Sequence, residues 1–433
     1  MKAGSFFPSL KYSSLFAMAG DDCSLFFDLK NLTEKQKADH IANVELTAML
    51  QIALACIGNS DDHLAVYDEY KRPEWNKTLK QYLNFYERLV DQVIPLQNFT
   101  YHPKYSFYES VSKYLNKNQN ITDVVNFYMT SGSNSVIHKN EELLKISKNV
   151  NSKKHFAENA PRFGIPTPET LITSKQELNS QKVNNFFLKH DNKIMIKLMG
   201  LAGARNVAAI SSVEEAQDYV KEYDNSMIIL LQEKLDLDNF VEMTVDLCID
   251  HEEIKIANTR KILFADGLWV GNLISESVKI SPEHQEILIN VGKYARHHGY
   301  VCSEGSNCGV DFFIGKNGEI SVTEINARWT GGLFPAEILA QINNKRDAIP
   351  FFDVVPIEKK EPYMDFLDKY LVGEYDGDFS MLPIGFGCFP VPINGCDHFY
   401  TWQAVIGDLN AFKQIKNDEL GVDVMPTANI IEI

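Results

Sequence analysis

Along the first 130 residues the apolar positions follow helical spacing more often than strand spacing. Residues 44–57 read as an apolar helix stopped by Gly58. Residues 73–93 place Trp75, Leu79, Tyr82, Leu83, Tyr86 and Leu89 on one helical face. Residues 64–67 form a short strand-like run, and the polar stretch 116–120 reads as a loop. No glycine-marked β-α-β opening stands out in this region. From about residue 134 the texture changes. Strands are predicted at 194–198, 227–232, 243–249, 254–259, 309–314 and 320–325, where β-branched and aromatic residues cluster between glycine turns. A helix is signalled by Ser281 as N-cap, Pro282 at the first helical position and Gly299 at its end. After about residue 350 the proline, glycine and aromatic content predicts a loop-rich appendage, as in PIGFGCFPVPING. The organisation expected is therefore an N-terminal α/β region at 1–133, a central domain at 134–345 and an appendage at 346–433.

Composition narrows the options without choosing among them. The chain has 433 residues, enough for roughly three domains. Its 42 basic and 58 acidic side chains give a net charge of −16, which disfavours nucleic acid and anionic membranes as partners. A hydrophobic fraction of 45% and a charged fraction of 23% are those of a globular protein. The seven cysteines are scattered, with no C-x-x-C, so neither a disulfide framework nor a zinc site is expected. A reducing, cytoplasmic setting is the expectation. The opening residues lack a continuous apolar stretch of the kind a secretory leader carries.

The chemistry concentrates at 309–328, GVDFFIGKNGEISVTEINAR. Asn317-Gly318 between two apolar runs predicts a hairpin with a two-residue turn. Lys316 then faces Glu319, and the same register puts Asp311 directly opposite Glu324. Their β-carbons would lie about 4.5–5.5 Å apart, a destabilising arrangement unless a cation lies between them. Glu324, Asn326 and Arg328 are spaced by two and share that face, with Gly309 leaving room opposite Asn326. Oxygen ligands without histidine or cysteine suit Mg²⁺. Taken alone, the same residues also read as an amphipathic hairpin with a solvated polar face.

Three further segments bear on that choice. Residues 197–207, KLMGLAGARNV, join a strand lysine to a glycine-rich loop able to approach phosphate, although the common nucleotide fingerprints are absent. Residues 230–235, LLQEKL, end an apolar strand in polar residues, and Glu242 follows on the next strand. Residues 151–168 read as a helix carrying Lys153 and Lys154, followed by a proline-stiffened turn at Gly164-Ile165-Pro166-Thr167-Pro168. Each segment alone also reads as an ordinary turn, strand end or surface helix.

Together, and in this order, the segments resemble the ATP-grasp superfamily over about residues 134–345. The resemblance implies an α/β (α+β) ATP-grasp fold with an N-terminal α/β region and a C-terminal appendage. It implies ATP and Mg²⁺ as cofactors. It assigns Lys153, Lys197, Gly200, Gly203 and Arg205 to the phosphates, Glu233 and the Leu235 backbone to the adenine hinge, and Glu242 to the ribose. It assigns Asp311, Glu324 and Asn326 to the metal, and Arg328 to an acyl phosphate. Residues 267–271 and EINARWTGG at 324–332 further resemble ligases that join a carboxylate to an amine. Gly309 stands where D-alanine–D-alanine ligases carry an arginine, which disfavours that enzyme. Arg260 or Lys261 could supply a second cation, or be edge-strand surface charges. The function expected is amide or peptide bond formation through an acyl phosphate, with release of ADP and phosphate. Its substrates would be a small-molecule carboxylate and an amine, with a homodimer as an open option. A phosphotransferase and a non-catalytic nucleotide-binding protein are the rival readings.

Overall fold

A computed structural model of the chain describes residues 13–121, 123–125, 127–199, 206–265, 268–387 and 398–422. Three sheets organise it. The first is wholly parallel, in the order Phe99–His102, His63–Tyr67, Ser14–Ala17, Asp123–Val125. Parallel neighbours need crossover connections. The helices Glu34–Ile57, Pro73–Leu89 and Phe107–Lys117 lie between successive strands. The helix expected at 44–57 starts ten residues earlier, at a capping box formed by Thr33 and Gln36. Its first turns are polar, so apolar periodicity alone could not find them.

The β-α-β opening that the sequence did not display is present. Ser14–Ala17 is its first strand and Gly20 lies in the turn that follows. A β-carbon on Gly20 would sit 2.3 Å from the Asn43 carbonyl oxygen, so the turn packs directly on the long helix. The run 14–17 is only four residues long, too short to show a period.

The second sheet is antiparallel, in the order Thr170–Ser174, Ile228–Glu233, Ile194–Leu198, Val207–Ile210. Helices Gln181–Lys189 and Val213–Tyr219 accompany it, and Leu171, Phe187, Ile196, Ala216 and Leu231 share its core.

The third sheet has eight strands, ordered Ile320–Asn326, Ser306–Gly315, Phe240–Ile249, Ile254–Ala265, Leu268–Leu273, Ala348–Pro356, His398–Gly407, Phe379–Gly387. The last three correct the expectation of a loop-rich appendage. Ala348–Pro356 extends the central sheet, and the helices Lys360–Lys369 and Leu409–Leu420 accompany it. Proline and glycine misled because they sit inside strands, at Pro350, Pro383 and Gly385. Gly385 is needed there, since a β-carbon would lie 2.2 Å from the Met49 carbonyl oxygen on the long helix. Tyr70 and Tyr86 donate hydroxyl hydrogen bonds to the carbonyls of Phe386 and Ile384, at 2.7 and 2.6 Å. One hydrophobic core therefore joins the N-terminal region to the C-terminal strands.

Candidate active site

The 306–326 hairpin carries the acidic residues, and its turn differs from the one expected. Gly315 donates its amide to Glu319, Gly318 donates to Gly315, and Gly318 has a φ of +84°. The turn is thus three residues long, with glycine in the left-handed position. Near it, Ile314 faces Ile320 and Phe312 faces Val322, one residue off the predicted register. A bulge between Asp311 and Phe312 takes up the difference, with the Thr323 hydroxyl on the Asp311 carbonyl at 3.2 Å. Asp311 then faces Glu324, and Gly309 faces Asn326. The predicted cross-strand pair is present although its turn is not.

Asn326 Nδ2 donates to Asp311 Oδ2 at 2.9 Å, and Arg328 Nη1 donates to Asn326 Oδ1 at 2.7 Å. Lys153 forms an ion pair with Glu324. The lysine arrives there because Asn151 bonds both backbone groups of Ala327, with Oδ1 accepting at 2.9 Å and Nδ2 donating at 3.3 Å. Ser152 then caps the helix Lys153–Asn159. Lys154 instead points to Glu158, half exposed. From the facing sheet, Lys197 is 8% exposed and lies near enough for its charge to be felt by Glu324 and Asp311. Lys153, Phe156, Lys197, Leu230, Gln232 and Val322 line one cleft between the two sheets.

The charges here perturb one another. Burial, then Glu324, pushes the Asp311 carboxyl up to about 6. Burial, then Asp311, pushes Glu242 up to about 8. Burial lowers the Lys197 ammonium to about 8 despite the attraction of Glu324. Burial also works against ionised Glu324, but Lys153 and Lys197 outweigh it and hold that carboxyl below its ordinary value. Arg328 lies with its guanidinium 5.0 Å from the Tyr128 ring. Burial opposes its charge, yet Tyr128, Asp22, Glu324 and Asp311 more than compensate. Crowded carboxylates with amide and lysine donors between them are what an oxygen-ligated divalent cation would replace. Asp311, Glu324 and Asn326 fit Mg²⁺ in both donor type and grouping.

Other residues are placed differently from expectation. Glu233 is not among the cleft residues. Its side chain accepts from the Glu169 amide at 3.3 Å and lies 3.8 Å from His190 Nδ1. Side chains alternate along a strand, so Gln232 faces the cleft instead. Leu235 follows, half-buried, in the turn after that strand. Gly200, Gly203 and Arg205 lie outside the described residues. Arg260 is no edge-strand charge. Its strand lies within the eight-stranded sheet, and the guanidinium, 1% exposed, pairs with fully buried Asp246. Arg260 Nη2 lies 3.4 Å from Thr330 Oγ1, and that hydroxyl donates to Asp246 Oδ1 at 3.0 Å. Arg260 thus holds the turn after Arg328 from beneath. A β-carbon at Gly309 would lie 2.2 Å from Thr330 Cγ2, so this turn also excludes a side chain at 309. Lys261, half-buried, is the next residue on that strand. Sequence reasoning missed Thr244, whose side chain bonds the Asp311 carboxyl, and Asp246, Gln232 and Tyr128. For the first two, the alternation Glu242, Thr244, Asp246 along one strand was the available signal.

No family model matches the chain, and no curated protein matches it. Solved structures do. The N5-carboxyaminoimidazole synthetase of Staphylococcus aureus superposes with a TM-score of 0.53 at 9% identity, over 98% of this chain and 100% of that one. The Aspergillus clavatus synthase, in complex with ADP and its aminoimidazole ribonucleotide, gives 0.54 at 9% identity, over 97% and 98%. The biotin carboxylase domain of the Hydrogenobacter thermophilus 2-oxoglutarate carboxylase, with MgADP and bicarbonate, gives 0.53 at 11%, over 96% and 92%. These likenesses span nearly the whole chain, including both regions that flank the cleft. The chain has the ATP-grasp fold.

Proposed function

We propose that the protein is an ATP-dependent carboxylate–amine ligase that forms an amide bond through an acyl phosphate and releases ADP and phosphate. The observation that carries this reading is the cluster of Asp311, Glu324 and Asn326 ringed by Lys153, Lys197 and Arg328. Three oxygen donors beside three cations, two of which line the cleft, match the needs of phosphoryl transfer, in which positioning and charge neutralisation do most of the work. Asp311, Glu324 and Asn326 would hold Mg²⁺, which would offset phosphate charge during the transfer. Lys153 and Lys197 hold the phosphates from opposite walls of the cleft. Arg328, at the far side of Asn326, faces the acyl phosphate and then the oxyanion formed when the amine attacks. Arg260 acts through Thr330 and keeps the turn after Arg328 in place. Three solved structures of the same fold hold ADP or MgADP, in keeping with a nucleotide in this cleft.

The test is ADP release from MgATP in the presence of paired carboxylates and amines. The reading expects release that needs both members of a pair. A phosphorylated single substrate, formed without any amine, would assign the protein to the phosphotransferases instead.

A further inference from the structure

Glu169 and Glu233 stand opposite each other at the edge of the small antiparallel sheet. Thr170 pairs with Gln232, and one step further out the Glu233 amide donates to the Glu169 carbonyl at 2.9 Å. Two carboxylates placed across such a pair repel unless a cation lies between them. Lys189 answers part of that charge. Its Nζ reaches Glu169 Oε2 at 2.5 Å, but from a side chain 60% exposed, and a surface pair of this kind is weak.

His190 enters between the two carboxylates. Its Nε2 lies 3.4 Å from Glu169 Oε2 and its Nδ1 lies 3.8 Å from Glu233 Oε2. Nε2 is shielded from solvent and makes no hydrogen bond, a costly state for a ring nitrogen. The ring is held in that position. Phe186 packs against it with 4.6 Å between ring centroids. Asp191 and Asn192, the next two residues, both have left-handed backbones, with φ of +51° and +58°. Consecutive non-glycine residues in that region carry strain that their surroundings must impose. The Lys234 amide then donates to the Lys193 carbonyl at 3.0 Å, which ties this turn to the strand bearing Glu233. One ring nitrogen and one oxygen from each carboxylate lie within 4.8 Å of one another. Donors at about 2.0–2.2 Å from a bound ion are themselves about 3–4 Å apart, so small side-chain rotations would close this set on a metal.

We propose that Glu169, His190 and Glu233 form a second divalent-cation site that takes Zn²⁺. An imidazole with two carboxylates suits Zn²⁺ rather than Mg²⁺, with water completing the sphere. None of the three side chains lines the cleft. Glu169 is exposed, so the ion can enter from solvent. Bound there, it would cross-link two strand ends to the turn after the helix Gln181–Lys189 and stabilise the small sheet. The proposal does not depend on the ligase reading.

The experiment is calorimetric titration of Zn²⁺ into the full chain in excess Mg²⁺, which competes for the oxygen cluster at Asp311 and Glu324. The wild type should take up one Zn²⁺ and melt at a higher temperature with it. Glu324→Ala should bind Zn²⁺ as the wild type does. His190→Asn and Glu169→Gln should each bind it at least about tenfold more weakly. Glu169 is exposed, so Glu169→Gln tests the site even if His190→Asn does not fold. No uptake by the wild type, or an affinity unchanged in Glu169→Gln, overturns the proposal. Binding lost in Glu324→Ala but kept in Glu169→Gln would put the ion in the cleft and overturn it as well.

Discussion

At the scale of single residues, function rests on groups held away from their ordinary ionisation. Asp311 and Glu242 are carboxyls raised by burial and by a neighbouring carboxylate, Glu324 beside Asp311 and Asp311 beside Glu242, to about 6 and about 8. In the folded, metal-free protein they bind protons that the unfolded chain has already lost above pH 4. Stability contributed by the protonated forms is therefore present at low pH and lost as pH rises through 6 and then 8. A divalent cation removes that penalty. Mg²⁺ should raise the melting temperature more at pH 8 than at pH 6, as followed by thermal unfolding; an equal rise at both would contradict this site. Lys197 titrates in the opposite sense. With its ammonium lowered to about 8, nucleotide affinity should weaken as pH climbs from 7 to 9, and Lys197→Met should weaken it already at pH 7. The expected loss in Lys197→Met is about 10–100-fold, from removal of a buried charge-assisted contact, and a binding isotherm measures it. Much of this cluster was legible in the sequence, because Glu324, Asn326 and Arg328 sit at a spacing of two and Asp311 falls opposite Glu324 on a recognisable hairpin. Gln232 was not legible. Whether Gln232 or Glu233 faces the cleft depends on the phase of an alternation that no residue in LLQEKL declares.

At the scale of elements, the hairpin shows how a correct pair can follow from an incorrect turn. Asn317-Gly318 does mark the turn, but Gly318 closes a three-residue loop, and the bulge at Thr323 returns the strands to the register that opposes Asp311 and Glu324. Turn chemistry is local and can be read. A bulge is a response to neighbouring strands and cannot. The same distinction explains the first strand and the long helix. The cap at Thr33 and Gln36 was readable in principle, whereas the four-residue strand before it is stabilised by its two parallel partners. Gly20 joins these elements by close approach to the helix backbone. Gly20→Ala should destabilise the protein by about 1–3 kcal/mol, the usual cost of overpacking, as measured by denaturant unfolding. A midpoint equal to the wild type would show that the turn can relax.

At the scale of the whole molecule, the cleft belongs to the middle of the chain, but the body that supports it is built from both ends. The eight-stranded sheet begins at the acidic hairpin and runs without interruption into the strands after residue 348. Those strands share a core with the N-terminal helix Glu34–Ile57. Composition suggested an appendage because prolines and glycines lie within these strands, and only tertiary packing shows why they are tolerated. A chain ending at residue 345 would leave Met49, Tyr70 and Tyr86 without the strand they pack against, and should lose its cooperative thermal transition. The excess of acid noted in the composition has a local counterpart in Asp311, Glu324 and Glu242, set against Lys153, Lys197 and Arg328. The central claim is that this cluster transfers a phosphoryl group to a carboxylate that an amine then captures. The most direct measurement is ADP release by wild type and by Glu324→Ala, with paired carboxylates and amines and with product masses determined. The account expects release that requires both substrates, a product heavier than either by condensation, and a fall of at least about a hundredfold in Glu324→Ala. Wild-type turnover by Glu324→Ala, or turnover indifferent to the amine, would contradict it.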